Sequence, residues 1–131
     1  SAAMDAQTAR INLAASNVAN ADTVDSSPEK AFKAKRAVFQ TVLEDQVFRG
    51  SNLVKGSVQV SAITEDNTAN PQRYEPNHPL ANEEGFVFAS NVNVMTEMVD
   101  MKAATRSFES AVEASNTAKR LMMRTIEMMQ K

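Results

Sequence analysis

His78 is the only histidine of the chain, and it sits in Asn77-His78-Pro79. A metal or acid–base centre built on it would need cysteine, a second histidine or carboxylates at ligand spacing. The chain has no cysteine, and no such spacing stands out. His78 therefore reads as a solvated or backbone-bonded turn residue. Ser26 and Ser27 have no adjacent base to activate a hydroxyl. Glu83-Glu84 is a carboxylate pair, but chain neighbours point in different directions and do not converge on one atom. With three glycines in the whole chain, no glycine-rich loop is available to cradle phosphate. The one basic cluster, Lys30, Lys33, Lys35 and Arg36 around Phe32, could touch an anion but reads as a wet strand face. No catalytic, cofactor-binding or metal-ligating residue is assigned, and an enzyme is not expected. What remains is the chemistry of polar caps and apolar stripes.

The largest of those stripes lies in the last stretch, from about Asn93 to Lys131, which contains neither Gly nor Pro. Val94, Met101, Phe108, Ser115, Met122 and Met129 recur every seven residues, and so do Met98, Thr105, Val112, Lys119 and Ile126. The two rows alternate at separations of four and three, which places them on one face of an α-helix. At about 1.5 Å per residue such a helix spans roughly 55–60 Å, longer than so small a domain is wide. Part of its apolar face is therefore expected to meet other chains. Seven of the eight methionines lie here; their flexible thioethers form an adaptable core stripe, or let one subunit pack in several environments. Ser115, Lys119 and Thr105 interrupt the rows, either as seam-edge residues whose polar ends reach water or as register markers. Asn91 or Asn93 is placed to cap the helix. Acidic residues lie early in it (Glu97, Asp100) and basic ones late (Lys119, Arg120, Arg124, Lys131), as the macrodipole favours.

At the other end, residues from Ser1 to Val18 or Ala19 read as a second helix, with Met4, Ile11 and Val18 seven apart and Thr8 and Ala15 between them. Its many alanines favour helix and allow close helix approach. Asn17, Asn20, Asp22 and Thr23 compete for backbone bonds and should end it. Asn17 and Asn20 read as caps or as hydrogen bonders between subunits, and the two roles are compatible. A helix this short is marginal alone in water and needs the C-terminal one as its partner. Between the helices the period falls towards two: a strand is expected over roughly Lys35–Leu43, a polar connection over Glu44–Gly56, and a second strand over Ser57–Ile63 with Val58, Val60 and Ala62 on one face. Asp66–Glu84, with Pro71, Pro76 and Pro79, reads as an extended ordered loop, and Phe86-Val87-Phe88 as a short third strand.

The expected fold is mainly α with a small β insert. Residues 1–21 and 91–131 form antiparallel helices in a coiled-coil-like layer, and residues 22–90 carry a loop-rich, β-hairpin-type insert. The apolar rows of both helices, with Asn17 and Asn20, are the expected assembly interface. At 131 residues, a formal charge of −2, one tyrosine, six phenylalanines and no tryptophan, the chain has little material for a private core and no field to recruit nucleic acid or an anionic membrane. No apolar run approaches the roughly 20 residues of a bilayer span, and no small-molecule substrate is implied. The chain opens on Ser1, already in mid-helix, so part of the natural N-terminus is expected upstream and a missing leader carries no weight.

Ala15-Ser16-Asn17-Val18-Ala19-Asn20-Ala21-Asp22-Thr23, taken alone, is a polar helix end followed by a loop. With it the chain resembles the axial proteins of the bacterial flagellum, and among them the proximal-rod subunits. Met4-Asp5-Ala6-Gln7, Tyr74-Glu75-Pro76-Asn77-His78-Pro79-Leu80-Ala81, Gly85-Phe86-Val87, Asn91-Val92-Asn93-Val94, Glu97-Met98-Val99-Asp100-Met101 and Arg106-Ser107-Phe108-Glu109 carry the likeness along nearly the whole chain. It departs at Glu29-Lys30-Ala31-Phe32, where the family often has a Gly-rich turn and a Pro-Tyr pair. The resemblance implies an inner layer of paired terminal helices and helical stacking into a tubular shaft in the periplasm. It also implies export by the flagellar type III apparatus. Its implied partners are further copies of the chain, the neighbouring proximal and distal rod proteins (FlgB, FlgF and FlgG) and the rod–ring adaptor at the MS ring. Two other readings stay open. One is another type III-exported helical assembly subunit, against which the β insert argues. The other is a soluble helical export adaptor or chaperone that holds a partner helix in its Met-rich groove.

Overall fold

A computed structural model describes residues 2–43 and 56–130. Two helices, α1 (Ala2–Ala19) and α2 (Val94–Met129), enclose in sequence five strands: β1 (Val24–Asp25), β2 (Lys35–Leu43), β3 (Gly56–Glu65), β4 (Gln72–Tyr74) and β5 (Phe86–Ala89). The expected connection over 44–56 lies, as far as residue 55, outside the described residues.

The helix spans agree closely with the sequence reading, for local reasons. Asn93 sits in an extended conformation at the start of α2 and its side chain accepts from the Thr96 N–H, so Asn93 is the cap. At the end of α1, Asn20 donates from Nδ2 to Ser16 O at 2.8 Å, and Thr23 Oγ1 donates to Asn20 O at 2.7 Å. Each side chain adds a second donor to a carbonyl that its own backbone N–H already bonds, which tightens the turn after the helix. Lys119, Arg120 and Arg124 lie late in α2 but before its last turn, which Ile126, Glu127, Met128 and Met129 fill; Lys131 lies outside the described residues.

The strands form two separate sheets. β2 and β3 pair antiparallel from Lys35↔Glu65 to Leu43↔Gly56, with a register shift between Val38 and Phe39. That bulge corrects the expected face. Val38 and Phe39 are consecutive on a regular strand and face opposite sides, so their partners Ala62 and Val60 do too. The shift instead gathers Ala37, Phe39, Val60 and Ile63 on one side. The third strand, β5, does not join this pair. It is the centre of a small antiparallel sheet in the order β1–β5–β4, so part of the stretch read as loop, Gln72–Tyr74, is strand. Gly85 turns the chain into β5 at φ 85°, and a Cβ there would meet Pro76 Cβ at 3.2 Å and Tyr74 Cε1 at 3.3 Å.

Among the described residues the buried core is small and small-featured: Ala6, Ala14, Ala31, Ala34, Val87 and Ala104, joined by Asn17, Ser90 and Glu97. α1 runs back along the first half of α2, its Asn17 at the level of Glu97 and its Arg10 at the level of Asp100. The buried line on α2 is Glu97 and Ala104, flanked by the half-buried Met101, Phe108, Ala111 and Ser115. Of the two expected rows, Met101, Phe108, Ser115 and Val112 are half-buried, while Met98 and Thr105 are exposed and their neighbours Glu97 and Ala104 are buried in their place. On α1 the buried positions are Ala6, Ala14 and Asn17, with Met4, Ile11 and Val18 only half-covered beside them. Alanine on both helices allows the close approach that larger side chains would prevent.

Candidate assembly surface

α2 has 36 residues and α1 has 18, so at about 1.5 Å per residue they span roughly 54 and 27 Å. The first half of α2 is accompanied; the second is not. From Asn116 to Gln130 every residue is exposed. That stretch carries Leu121, Met122, Met123, Ile126, Met128 and Met129, each between 45% and 80% exposed. An apolar segment this dense, on the half of the helix with no described neighbour, is the candidate interaction surface. The concave stretches along it, such as that between Phe108, Val112, Asn116 and Lys119, are open grooves on one helix.

The expected interface residues do not share one environment. Met122, Ile126 and Met129 lie on the uncovered half, while Val94 and Met98 are exposed on the outer flank of the covered half. Met4, Ile11, Val18, Met101, Phe108 and Val112 are half-buried along the line where α1 meets α2. Asn20 is half-buried at the end of α1. Asn17 stands apart, with no exposed surface at all: its amide is spent inside the chain and is neither a helix cap nor a surface donor.

Asn17 is the middle of a polar cluster that sequence reasoning did not find. Its Oδ1 accepts from Lys35 N–H at 2.9 Å, and its Nδ2 donates to Lys35 O at 3.0 Å and to Glu97 Oε2 at 3.2 Å. Glu97, also fully buried, takes an ion pair from Arg36 through its other oxygen. Arg36 reaches Asp66 Oδ2 as well, at 3.5 Å. Burial pulls the Arg36 pKa down, but the hydrogen bond and charge of Glu97, then those of Asp66, outweigh it and hold it above its ordinary value. The Thr68 hydroxyl and N–H, and after them the Arg36 charge, hold Asp66 below its ordinary 3.8. The signal for this cluster was a polar residue in each seam row, Asn17 and Glu97, where neighbouring turns carry alanine.

The supposed basic patch is not one surface. Arg36 is committed to Glu97, and Lys33 donates to Pro28 O and Asn70 Oδ1. His78 Nδ1 accepts from Leu80 N–H at 3.0 Å, which makes it part of its own turn. Among the described residues, no helix is long and apolar enough to cross a membrane.

The family model "Flagellar basal body rod FlgEFG protein C-terminal" matches residues 83–128, which take in β5 and nearly all of α2. Flagellar basal-body rod protein FlgC of Escherichia coli O6:H1 is 39% identical over 124 residues, 95% of this chain and 88% of the relative. The protein of the same name from Salmonella typhimurium LT2 is 38% identical over the same shares. That of Bacillus subtilis 168 is 35% identical over 136 residues, 95% of this chain and 90% of the relative.

Proposed function

Since the chain belongs to the FlgC family of flagellar basal-body rod proteins, and so is a structural subunit of the basal-body rod, we propose that it builds the proximal part of that rod. Copies stack helically into a periplasmic tube that transmits torque. The observation that carries this reading is the uncovered second half of α2. Heterologous contacts that do not close generate helical filaments, and each apolar side chain buried there would contribute roughly 1.5–3 kcal/mol. The helices α1 and α2 would form a coiled-coil-like inner layer, with the residues between them (22–90) outside it. The assembly interface would comprise Met122, Ile126 and Met129 with the outer flank of Val94 and Met98. Further copies and neighbouring rod proteins are its partners, and export runs through the flagellar type III apparatus.

Two measurements test this. Mass spectrometry of basal bodies washed with detergent and high salt should retain the chain; recovery only as a soluble cytoplasmic protein would overturn the rod reading in favour of an adaptor. Ile126→Asp lies on exposed surface and leaves the folded monomer intact, so it should abolish swimming while the chain is still exported. Normal swimming would remove this half of α2 from the interface.

A further inference from the structure

Glu97 places a carboxylate, with no exposed surface, in a helix seam whose fully buried apolar residues are all alanine. A buried charge is costly unless its partners are held in good geometry, and an apolar side chain would fill the space with no such requirement. Here the partners come from two other elements. Asn17 is two residues from the end of α1, and Arg36 is the second residue of β2. Asn17 also exchanges both backbone bonds with Lys35, as a neighbouring strand would. Just beyond β3, Asp66 N–H donates to Ala34 O at 2.7 Å and its carboxylate meets Arg36. Both strands are thus fastened, at their base, to one point where α1 and α2 meet.

Asn91, just ahead of α2, pins the base of the pair as well, accepting from Ala34 N–H and donating to Asp66 O, yet one pinned end leaves the strands free to swing. Phe39 and Ala37 border a small cavity against Leu13 and Ala14 of α1, but Val38, Val60 and Ile63 remain largely exposed. Apolar contacts this sparse do not fix an angle, whereas hydrogen bonds are directional. We infer that Asn17, Glu97 and Arg36 are positioning residues of a joint that gives the β2–β3 pair a fixed direction only while α1 is docked on α2. When α1 leaves, Asn17 leaves with it. Lys35 then loses both side-chain bonds, and Glu97 opens to water, where its attraction for Arg36 is weak. The outer part of the molecule takes its bearing from the pairing of the inner helices, whether or not the chain is polymerised.

The absence of cysteine lets spin labels be placed without background. One pair, Gln59→Cys with Lys102→Cys, reports strand pair against α2; a second, Ala3→Cys with Glu113→Cys, reports α1 against α2. Distance distributions are recorded by pulsed electron resonance on the full chain, with and without a stabilising osmolyte. In the otherwise unchanged chain both distributions are narrow together or broad together, and the osmolyte narrows them in step. Asn17→Ala and Glu97→Gln, in the osmolyte, broaden the first by about twofold and leave the second unchanged, a separation that a general loss of stability would not produce. Ala104→Asp, which parts the helices away from the joint, broadens both. A strand-pair distribution that stays narrow in Asn17→Ala and Glu97→Gln overturns the inference. So does one that stays narrow while the helix pair is broad, in any variant.

Discussion

Side-chain amides do for the irregular half of this protein what large apolar residues do in others. Asn91 accepts from Ala34 N–H at 2.6 Å and donates to Asp66 O and Thr68 O, both at 2.9 Å. Asn70 donates to Phe32 O and Ala89 O, and Asn82 accepts from the N–H groups of Glu84 and Phe86. With Asn17, Asn91 and Asn70 bond the Ala34 and Lys35 N–H groups and the Phe32 and Lys35 carbonyls. A net hydrogen bond contributes about 1 kcal/mol, so Asn91→Ala should cost about 2 kcal/mol, read as a lower urea midpoint with an unchanged slope. A pH effect also belongs to this scale. The Asp66 pKa is lower in the folded chain than the ordinary 3.8. Its contribution is therefore whole above that value and is lost as pH falls through the folded one. Asp66→Asn should flatten the acid limb of a stability–pH curve below about pH 4, and an unaltered limb would show that the Arg36 and Thr68 contacts do not matter to folding.

At the level of elements, what could be read from the sequence was period and length. Both helices, β2 and much of β3 carry their signal in consecutive residues, and Asn93 announces its cap. Which helix face turns inward was not legible in the same way. Apolar periodicity marks every face that will be buried, by the chain itself or by a neighbour, and large residues such as Val94 and Met98 drew the stripe towards the outer flank. The true seam carried a quieter sign, Ala104 and Ala111 seven residues apart behind Glu97. The separation of β5 from the β2–β3 pair depends on partners over 60 residues away in sequence, Val24 and Asp25, and no local pattern encodes that. Nor does a pattern of types reveal that Asn17 and Glu97 meet. The seam assignment predicts that Ala104→Leu pushes the helices apart at a cost of about 1–3 kcal/mol, seen as a lower thermal midpoint by circular dichroism. Thr105→Leu, one position round on exposed surface, should leave the midpoint nearly unchanged.

For the molecule as a whole, the small buried core and the unaccompanied half of α2 make the isolated chain and the assembled subunit different objects in energetic standing. Isolated helical stretches of this length are marginal in water, so amides of residues 116–130 should exchange rapidly in dilute solution and become protected in purified basal bodies. Slow exchange in the dilute monomer would show that α2 holds itself together without neighbours. The two-to-one ratio of α2 to α1 has a mechanical consequence too. In the proposed tube, each copy would overlap the next along the free half of α2 and not merely abut it, as planks do in a lap joint. A twisting load then crosses from copy to copy as shear spread over several helical turns, and trimming those turns should weaken the shaft in proportion to the length removed.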